Sequence, residues 1–290
     1  MDVLSPFDGI SCGQVAFSRA GIKIDKYFAS EVEPSSIKIT QKNYPSTIQC
    51  GDIRNINGYD FKNIDILIGG SPCQGLSRAK TNRKNLQDER SILFYDFIRI
   101  LNESNPKYFL LENVKMDKES EDEFTKLLGV EPIEINSSIV SAQNRVRLYW
   151  TNIPNITLPN DKGILIRDIL EKTPYQLFSD ERIEKTKVKT KNYYKWDISG
   201  KGYYSQQDRA YFKDGKMCCV PKTNVKSKIN VVESEGIYRR LSPIEVERLQ
   251  TLPDDYTLCN GVSNTKRYES VGNGWTVDVI AHILSFIPNT

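Results

Sequence analysis

The stretch Ile64-Asp65-Ile66-Leu67-Ile68-Gly69-Gly70-Ser71-Pro72-Cys73-Gln74 decides the fold class. Its first half is a short apolar run rich in isoleucine, the mark of a strand buried on both faces, and two glycines end it. An open parallel sheet presents ligands and reactive groups just beyond the carboxyl ends of its strands. Cys73 therefore stands where chemistry is done. A loop cysteine without a role would look the same in isolation, so Pro-Cys-Gln has to be judged by its company.

Working outward, similar runs at 3–7, 27–31 and 108–113 predict further strands around the one at 64–69. Segments 13–20, 35–43 and 91–102 read as helices between them. In the last, Ile92, Tyr95, Ile98 and Leu101 recur at three-residue spacing, Phe94 and Phe97 widen the stripe, and Pro106 closes it. Alternating strands and helices predict an α/β fold, an open Rossmann-like sheet with helices on both faces. From about 155 to 237 the periodicity weakens and lysine, tyrosine and glycine interrupt any regular element, which predicts a second, smaller domain. The chain returns to order at Ser242-Pro243-Ile244-Glu245, with Ser242 as N-cap, Pro243 at the first helical position and Glu245 as the capping partner. An apolar segment at 277–287 predicts a last helix packed on the first sheet. The core domain is thus assigned to 1–154 and 238–290, and the smaller one to 155–237.

With 290 residues, 39% hydrophobic and 27% charged, the chain has the composition of a globular protein and not of a disordered or fibrous one. A net charge of +3 is too small to imply a nucleic-acid partner, so local charge has to carry that argument. No run of about 18 apolar residues and no secretory signal order is present, which predicts a cytoplasmic protein without a membrane span. Cys12, Cys50, Cys73, Cys218, Cys219 and Cys259 show no Cys-x-x-Cys spacing and the single histidine is His282, which argues against a metal cluster.

Four further segments keep company with Cys73. Phe7-Asp8-Gly9-Ile10-Ser11-Cys12-Gly13 follows the first strand and opens the first helix, where α/β proteins bind nucleotide-like cofactors. Glu31 ends the second strand, where a carboxylate can accept from two ribose hydroxyls, and Asp52 further on could bond an adenine amino group. This set is shared by several cofactor classes and by turns of purely structural role. Leu110-Leu111-Glu112-Asn113-Val114 ends the next apolar strand and puts a carboxylic acid beside the cysteine. Gln143-Asn144-Arg145-Val146-Arg147 leads into Leu148-Tyr149-Trp150, and strand alternation predicts that both arginines face one way.

Together with Arg240-Leu241-Ser242-Pro243-Ile244-Glu245, Arg248-Leu249-Gln250, Pro253-Asp254 and Val271-Gly272-Asn273-Gly274-Trp275, these segments resemble, in order and spacing, the motif series of DNA cytosine-5 methyltransferases. The likeness covers nearly the whole chain outside 155–237. Ser5-Pro6-Phe7-Asp8-Gly9-Ile10, Val140-Ser141-Ala142 and Trp275 are similar to the eukaryotic de novo branch, while the compact length is similar to bacterial or phage members.

The resemblance implies S-adenosylmethionine as methyl donor, held by Phe7, Asp8, Gly9, Ile10 and Ser11, by Glu31, by Asp52, Ile53 and Arg54, by Pro72 and Leu93, and by Asn273, Gly274 and Trp275. It implies Cys73, Glu112, Arg145 and Arg147 as catalytic residues. Carbon 5 of cytosine is too weak a nucleophile until carbon 6 is attacked covalently, which requires a thiolate. A free cysteine, with a pKa near 8.5, is only a few percent thiolate at pH 7, so the arginines are candidates to assist. Glu112 would bond the ring nitrogen and exocyclic amine, and Arg147 the carbonyl oxygen. A base inside a duplex hides these atoms, so the nucleotide has to be flipped out, with the loop 74–90 closing on the DNA.

Residues 185–228 carry 11 lysines and one arginine against three acids, a net +9 suited to phosphate contacts. Gln74, Ser77, Arg78, Lys191, Lys195 and Arg240 are the candidate DNA contacts. Tyr193, Tyr194, Trp196, Tyr203, Tyr204, Tyr211 and Phe212 are interleaved with the basic residues and are assigned chiefly to packing. The partner is then double-stranded DNA, with room for a cognate restriction endonuclease. A tRNA cytosine-5 methyltransferase and a catalytically idle DNA-binding relative are the alternatives.

Overall fold

A computed structural model describes residues 1–72, 89–197, 208–220 and 230–288, which form two compact units. The first comprises Met1–Asn136, Val146–Pro159 and Val277–Thr290, and the second Ser137–Arg145 and Asn160–Thr276.

In the first unit the strands are β1 (Asp2–Pro6), β2 (Lys26–Ser30), β3 (Ile48–Gln49), β4 (Ile66–Gly70), β5 (Tyr108–Val114), β6 (Ile133–Asn136) and β8 (Val146–Thr151); β7 (Gln143–Asn144) belongs to the second. Helices α1 (Cys12–Arg19), α2 (Pro34–Asn43), α3 (Glu89–Ser104), α4 (Lys118–Leu128) and α9 (Val277–Leu284) accompany them. The sheet order is β3-β2-β1-β4-β5-β8-β6. The first five strands run parallel, β8 is antiparallel to β5, and β6 is antiparallel to β8. The chain moves outward from β1 to β3 and then returns to the other side of β1 to lay down β4. The switch point, where open α/β sheets bind their ligands, lies between β1 and β4.

Gly69 permits the close approach of these two strands. A Cβ there would lie 2.8 Å from the Pro6 carbonyl oxygen and 3.2 Å from the Phe97 ring. Beneath them Leu4, Leu67, Phe94, Phe97, Leu111, Phe124 and Trp150 form one buried cluster.

The four strands expected from the sequence are present within two residues of their assigned ends. The stripe assigned to α3 is corrected: Phe94, Phe97 and Ile98 are buried, whereas Tyr95 is 38% exposed and its hydroxyl bonds Glu123. The two phenylalanines bury more apolar surface than a tyrosine whose hydroxyl has to be satisfied, so the helix turns them inward. Asn105, in the left-handed region at φ 46°, ends α3 ahead of Pro106.

The second unit contains β9 (Gln176–Phe178), β10 (Val188–Lys189), β11 (Tyr193–Lys195), β12 (Arg209–Tyr211), β13 (Met217–Cys218), β14 (Asn230–Ser234) and β15 (Ile237–Arg240), with α5 (Ile166–Ile169), α6 (Glu181–Thr186), α7 (Pro243–Leu249) and α8 (Asn264–Asn273). Six strands form a sheet in the order β10-β11-β12-β14-β15-β9, and β13 pairs with β7. Ile183, Trp196, Ala210 and Tyr238 make its small core, with Tyr194 against it. Tyr193 packs on Tyr211 and Tyr194 on Phe212, while Tyr203 and Tyr204 lie outside the described residues.

Helix α7 has the capping box read from the sequence: Ser242 Oγ accepts from Glu245 N–H at 3.2 Å, and Glu245 accepts from Ser242 N–H at 2.8 Å. Residues 238–276 nevertheless fall in the second unit, not with the sheet of the first. β15 is an inner strand of the six-stranded sheet, and Gln143 donates to Leu249 O at 2.6 Å and to Gln250 Oε1 at 2.9 Å.

Gly69→Ala is expected to cost about 1–3 kcal/mol by overpacking β4 against β1. Urea denaturation checks it, and an unchanged midpoint would mean that the strands do not approach as described.

Candidate active site

The turn after β1 is held in an unusual backbone path. Phe7, Gly9 and Ser11 all have positive φ, at 57°, 59° and 56°. At Gly9 an added Cβ would meet nothing within 4 Å, so its backbone borders open space. Ser11 is the N-cap of α1, and its N–H donates to Asp8 O at 3.1 Å. The Asp8 carboxylate accepts from the Ser11 hydroxyl and from the Tyr27 hydroxyl at 2.7 Å. As a residue Asp8 is partly exposed, but its carboxyl is enclosed, and burial pushes it up to about 6 against the opposing pull of the Ser11 and Tyr27 hydrogen bonds.

Glu31 closes this turn from β2. One oxygen accepts from Gly9 N–H at 2.8 Å, and the other from Val32 and Glu33 N–H at 2.7 and 2.8 Å. A carboxylate offers about four acceptor positions, so three are taken by backbone and roughly one is left for a hydroxyl. Asp52 caps a short 3-10 turn at Ile53–Asn55 and holds the Arg54 guanidinium, whose hydrogen bond keeps its carboxyl below the usual range. The Ile53 side chain lies in the core, and Leu93 and Phe7 pack against the same cluster.

At the other side of the switch point Ser71 and Pro72 leave β4. Asn113 Nδ2 donates to Ser71 Oγ at 2.9 Å and to Ser71 O at 3.4 Å, which fixes the start of the following loop. Cys73, Gln74, Ser77 and Arg78 lie outside the described residues. Glu112 pairs with Gly70 across the parallel ladder, three positions before Cys73, and is 8% exposed. Arg147 Nε stands 2.9 Å from Glu112 Oε1, but this oxygen has no well-directed hydrogen-bond donor among the described residues. The pair is a charge contact without a well-directed hydrogen bond.

In the second unit Arg145 is 4% exposed. Its guanidinium donates to Gly274 O at 2.9 Å, to Gly272 O at 3.5 Å and to Cys219 Sγ at 3.1 Å. The expectation of one strand facing both arginines is corrected here: β7 ends at Asn144, β8 begins at Val146, and the two ladders have different partners. Arg145 braces the turn that carries Gly274 and Trp275, while Asn273 is exposed. Lys191 is exposed, Lys195 lies on β11, and Arg240 is engaged with the Phe178 ring at 5.5 Å. Among the described residues no group of three or more histidine, cysteine, aspartate or glutamate side chains could hold a metal ion.

The pattern of C-5 cytosine-specific DNA methylases matches residues 1–129 and 137–289 of this chain. The chain belongs to that family. It is 29% identical over 248 residues to the Type II methyltransferase M.NgoBV of Neisseria gonorrhoeae, covering 72% of this chain and 58% of that relative. The chain thus spans somewhat over half the length of that relative, whereas M.NlaX of Neisseria lactamica, 27% identical, matches 97% of this chain and 94% of its own length. In fold it is similar to the Schizosaccharomyces pombe Dnmt2 methyltransferase (TM-score 0.73, 21% identity, 99% and 98% of the two chains) and to the Entamoeba histolytica methyltransferase EhMeth (TM-score 0.76, 20% identity, 99% and 97%).

In this methylase fold three positioning residues escaped the sequence reading. Asn113 sat inside a quoted motif, beside Glu112, but nothing in the sequence tied it to Ser71. Tyr27 and Gln250 act through long-range hydrogen bonds; Gln250 Nε2 donates to Val271 O and Gly274 O, both at 3.0 Å.

Because the Asp8 carboxyl is raised, the folded chain keeps a proton that the unfolded chain releases between its ordinary value of 3.8 and about 6. Stability should fall as pH rises through that window and be level above it. Asp8→Asn should therefore gain on the wild type between pH 4 and 6, by no more than about 3 kcal/mol, and hold that gain at higher pH. Chemical denaturation across pH 3.5–8 checks this; a difference that does not vary with pH would contradict it.

Proposed function

We propose that this chain transfers a methyl group to carbon 5 of cytosine within a specific double-stranded DNA sequence, through a covalent adduct to Cys73 and a flipped-out target base. The observation that carries this is the ladder pairing of Gly70 with Glu112, which brings the end of β4, three residues before Cys73, beside a buried carboxylate that faces Arg147. Family membership supports the reaction class.

When bound, S-adenosylmethionine supplies an electrophilic methyl group. The residues of the first unit fit such a group: the open-sided turn at Gly9, the acceptor position left on Glu31 and the Asp52 turn offer polar edges, with no cation in the Phe7–Ser11 loop. Cys73 adds as thiolate to carbon 6, which moves electron density to carbon 5. Glu112 takes the ring nitrogen and exocyclic amine, and Arg147 holds the carbonyl oxygen, so the charge that develops on the ring meets fixed partners. Arg145 braces Gly272 and Gly274 within the second unit. Once carbon 5 carries the methyl group, its proton passes to water, the C–H electrons restore the 5,6 double bond, and Cys73 leaves as thiolate.

Lys191 and the other basic residues of 185–228 supply phosphate contacts in this reading, with Gln74, Ser77 and Arg78 on the loop that follows Cys73. A cognate restriction endonuclease is the partner that the Type II relatives suggest.

The test is incubation with labelled methyl donor and either duplex DNA or tRNA, followed by mapping of the modified base. Label on carbon 5 of cytosine in DNA is expected, abolished in Cys73→Ala and lowered roughly 10²–10⁴-fold in kcat by Glu112→Gln. Label confined to tRNA, or turnover near wild type in Cys73→Ala, would sink the proposal.

A further inference from the structure

The carboxyl of Asp8 is a titratable group that the methyl transfer itself does not use. It belongs to the turn assigned to the methyl donor, yet it is turned inward, one oxygen accepting from the Ser11 hydroxyl and the other from the Tyr27 hydroxyl of β2 at 2.7 Å. Ser5 of β1 and the Glu31 carboxylate are the other polar groups that face it, and no lysine or arginine is among its partners in the described residues. The hydrogen bonds decide which form of the carboxyl fits. Ser11 Oγ already accepts from Gln14 Nε2 at 3.3 Å and from Thr40 Oγ1 at 3.2 Å. A hydroxyl has two acceptor positions and one proton, so the Ser11 proton is left for Asp8 and the oxygen has no room to receive one from it. The ionised carboxylate satisfies this arrangement, whereas the acid form has to turn its proton on the Tyr27 oxygen. Burial acts in the opposite sense, because it disfavours a charge with no cation beside it. The balance leaves the group titrating at about 6, where a charge brought to the turn decides its state.

We propose that the Asp8 carboxylate is the counter-charge that makes this turn prefer the cationic methyl donor to its neutral product, and that donor binding drives the Asp8 proton into solvent. The inference rests on the reading of the chain as a methyltransferase that uses S-adenosylmethionine, and adds a specificity-determining residue to it. The donor carries a sulfonium and an ammonium against a single carboxylate. Once the methyl group has left, the sulfur is a neutral thioether, and S-adenosylhomocysteine has one positive charge fewer. An enclosed carboxylate acts on that charge through protein, where screening by water and salt is weak. Gly9, the next residue, borders open space, so a ligand can come up to the backbone beside the charge. Glu31 is less suited to the role, since its charge is already spread over the N–H groups of Gly9, Val32 and Glu33.

The experiment measures calorimetric binding of S-adenosylmethionine and S-adenosylhomocysteine to wild type, Asp8→Asn, Tyr27→Phe and His282→Gln from pH 5 to 7, in two buffers of different ionisation heat so that released protons are counted. In wild type the donor should bind more tightly as pH rises, by up to about tenfold per pH unit below the titration and levelling above it, with proton release at the low end. The product should change less. Asp8→Asn should flatten the donor profile and reduce the preference for donor over product roughly tenfold. Tyr27→Phe removes one hydrogen bond to the ionised form and should move the bend to higher pH, which carries the test if Asp8→Asn does not fold. A histidine ordinarily titrates in this window, and the chain has one, His282 on α9, so His282→Gln should keep the wild-type profile. A profile that persists in Asp8→Asn, vanishes in His282→Gln or is the same for donor and product overturns the assignment, as does a bend unmoved in Tyr27→Phe. A wild type that binds neither ligand at any pH fails the cofactor reading itself, and the assignment falls with it.

Discussion

The carboxyl edge of the first sheet depends on how closely β1 and β4 approach at Gly69. With no side chain there, the Pro6 carbonyl oxygen can come within 2.8 Å of where a Cβ would be. That contact sets the switch point, and the Phe7–Ser11 turn and the Ser71–Pro72 loop start leave the sheet on either side of it. Register does the rest: once β4 and β5 pair in parallel with Gly70 opposite Glu112, the carboxylate is bound to stand next to the chain leading to Cys73. Asn113, one residue on, ties the loop start to β5 through Ser71.

The turn after β1 shows what such an edge requires. Two non-glycine residues in the left-handed region, Phe7 and Ser11, cost backbone strain, and the turn is held by Glu31, Asp8 and Tyr27. Glu31 is accordingly both a brace for Gly9 and a candidate ligand group, and its substitution would disturb the turn as well as any hydroxyl it holds. Arg145 has the same character in the second unit. Its guanidinium is occupied with carbonyls that terminate α8, and its contribution runs through the position of Gly274 and Trp275.

Much of the first unit was legible because its strands are continuous apolar runs and its helices carry a clear period. Where the reading slipped, the cause was a choice that periodicity cannot make: Tyr95 and Phe94 are both aromatic, and only the packing against Phe124 selects Phe94 for the interior. The six-stranded sheet of the second unit was not legible, since its strands have only two to five residues and its edge strand β9 pairs with β15 far along the chain, Phe178 opposite Tyr238. The break at Arg145 was hidden for a related reason. Alternation in Gln143–Tyr149 looks continuous until β13 is seen to capture β7. Lysines and aromatic residues counted as a basic aromatic stretch turned out to be partly paired with each other, as with Lys187 over Tyr194 and Lys189 over Phe212.

The central claim is that Cys73 attacks the target base, and the most direct measurement is covalent trapping on duplex DNA carrying 5-fluorocytosine at the target. Fluorine cannot leave as a cation, so once carbon 5 bears both methyl and fluorine the thiol cannot be expelled. A denaturing gel followed by peptide mapping should find a stable adduct at Cys73 that forms only with S-adenosylmethionine present. No adduct on DNA known to contain the target site, or attachment at Cys12 or Cys259, would contradict the account.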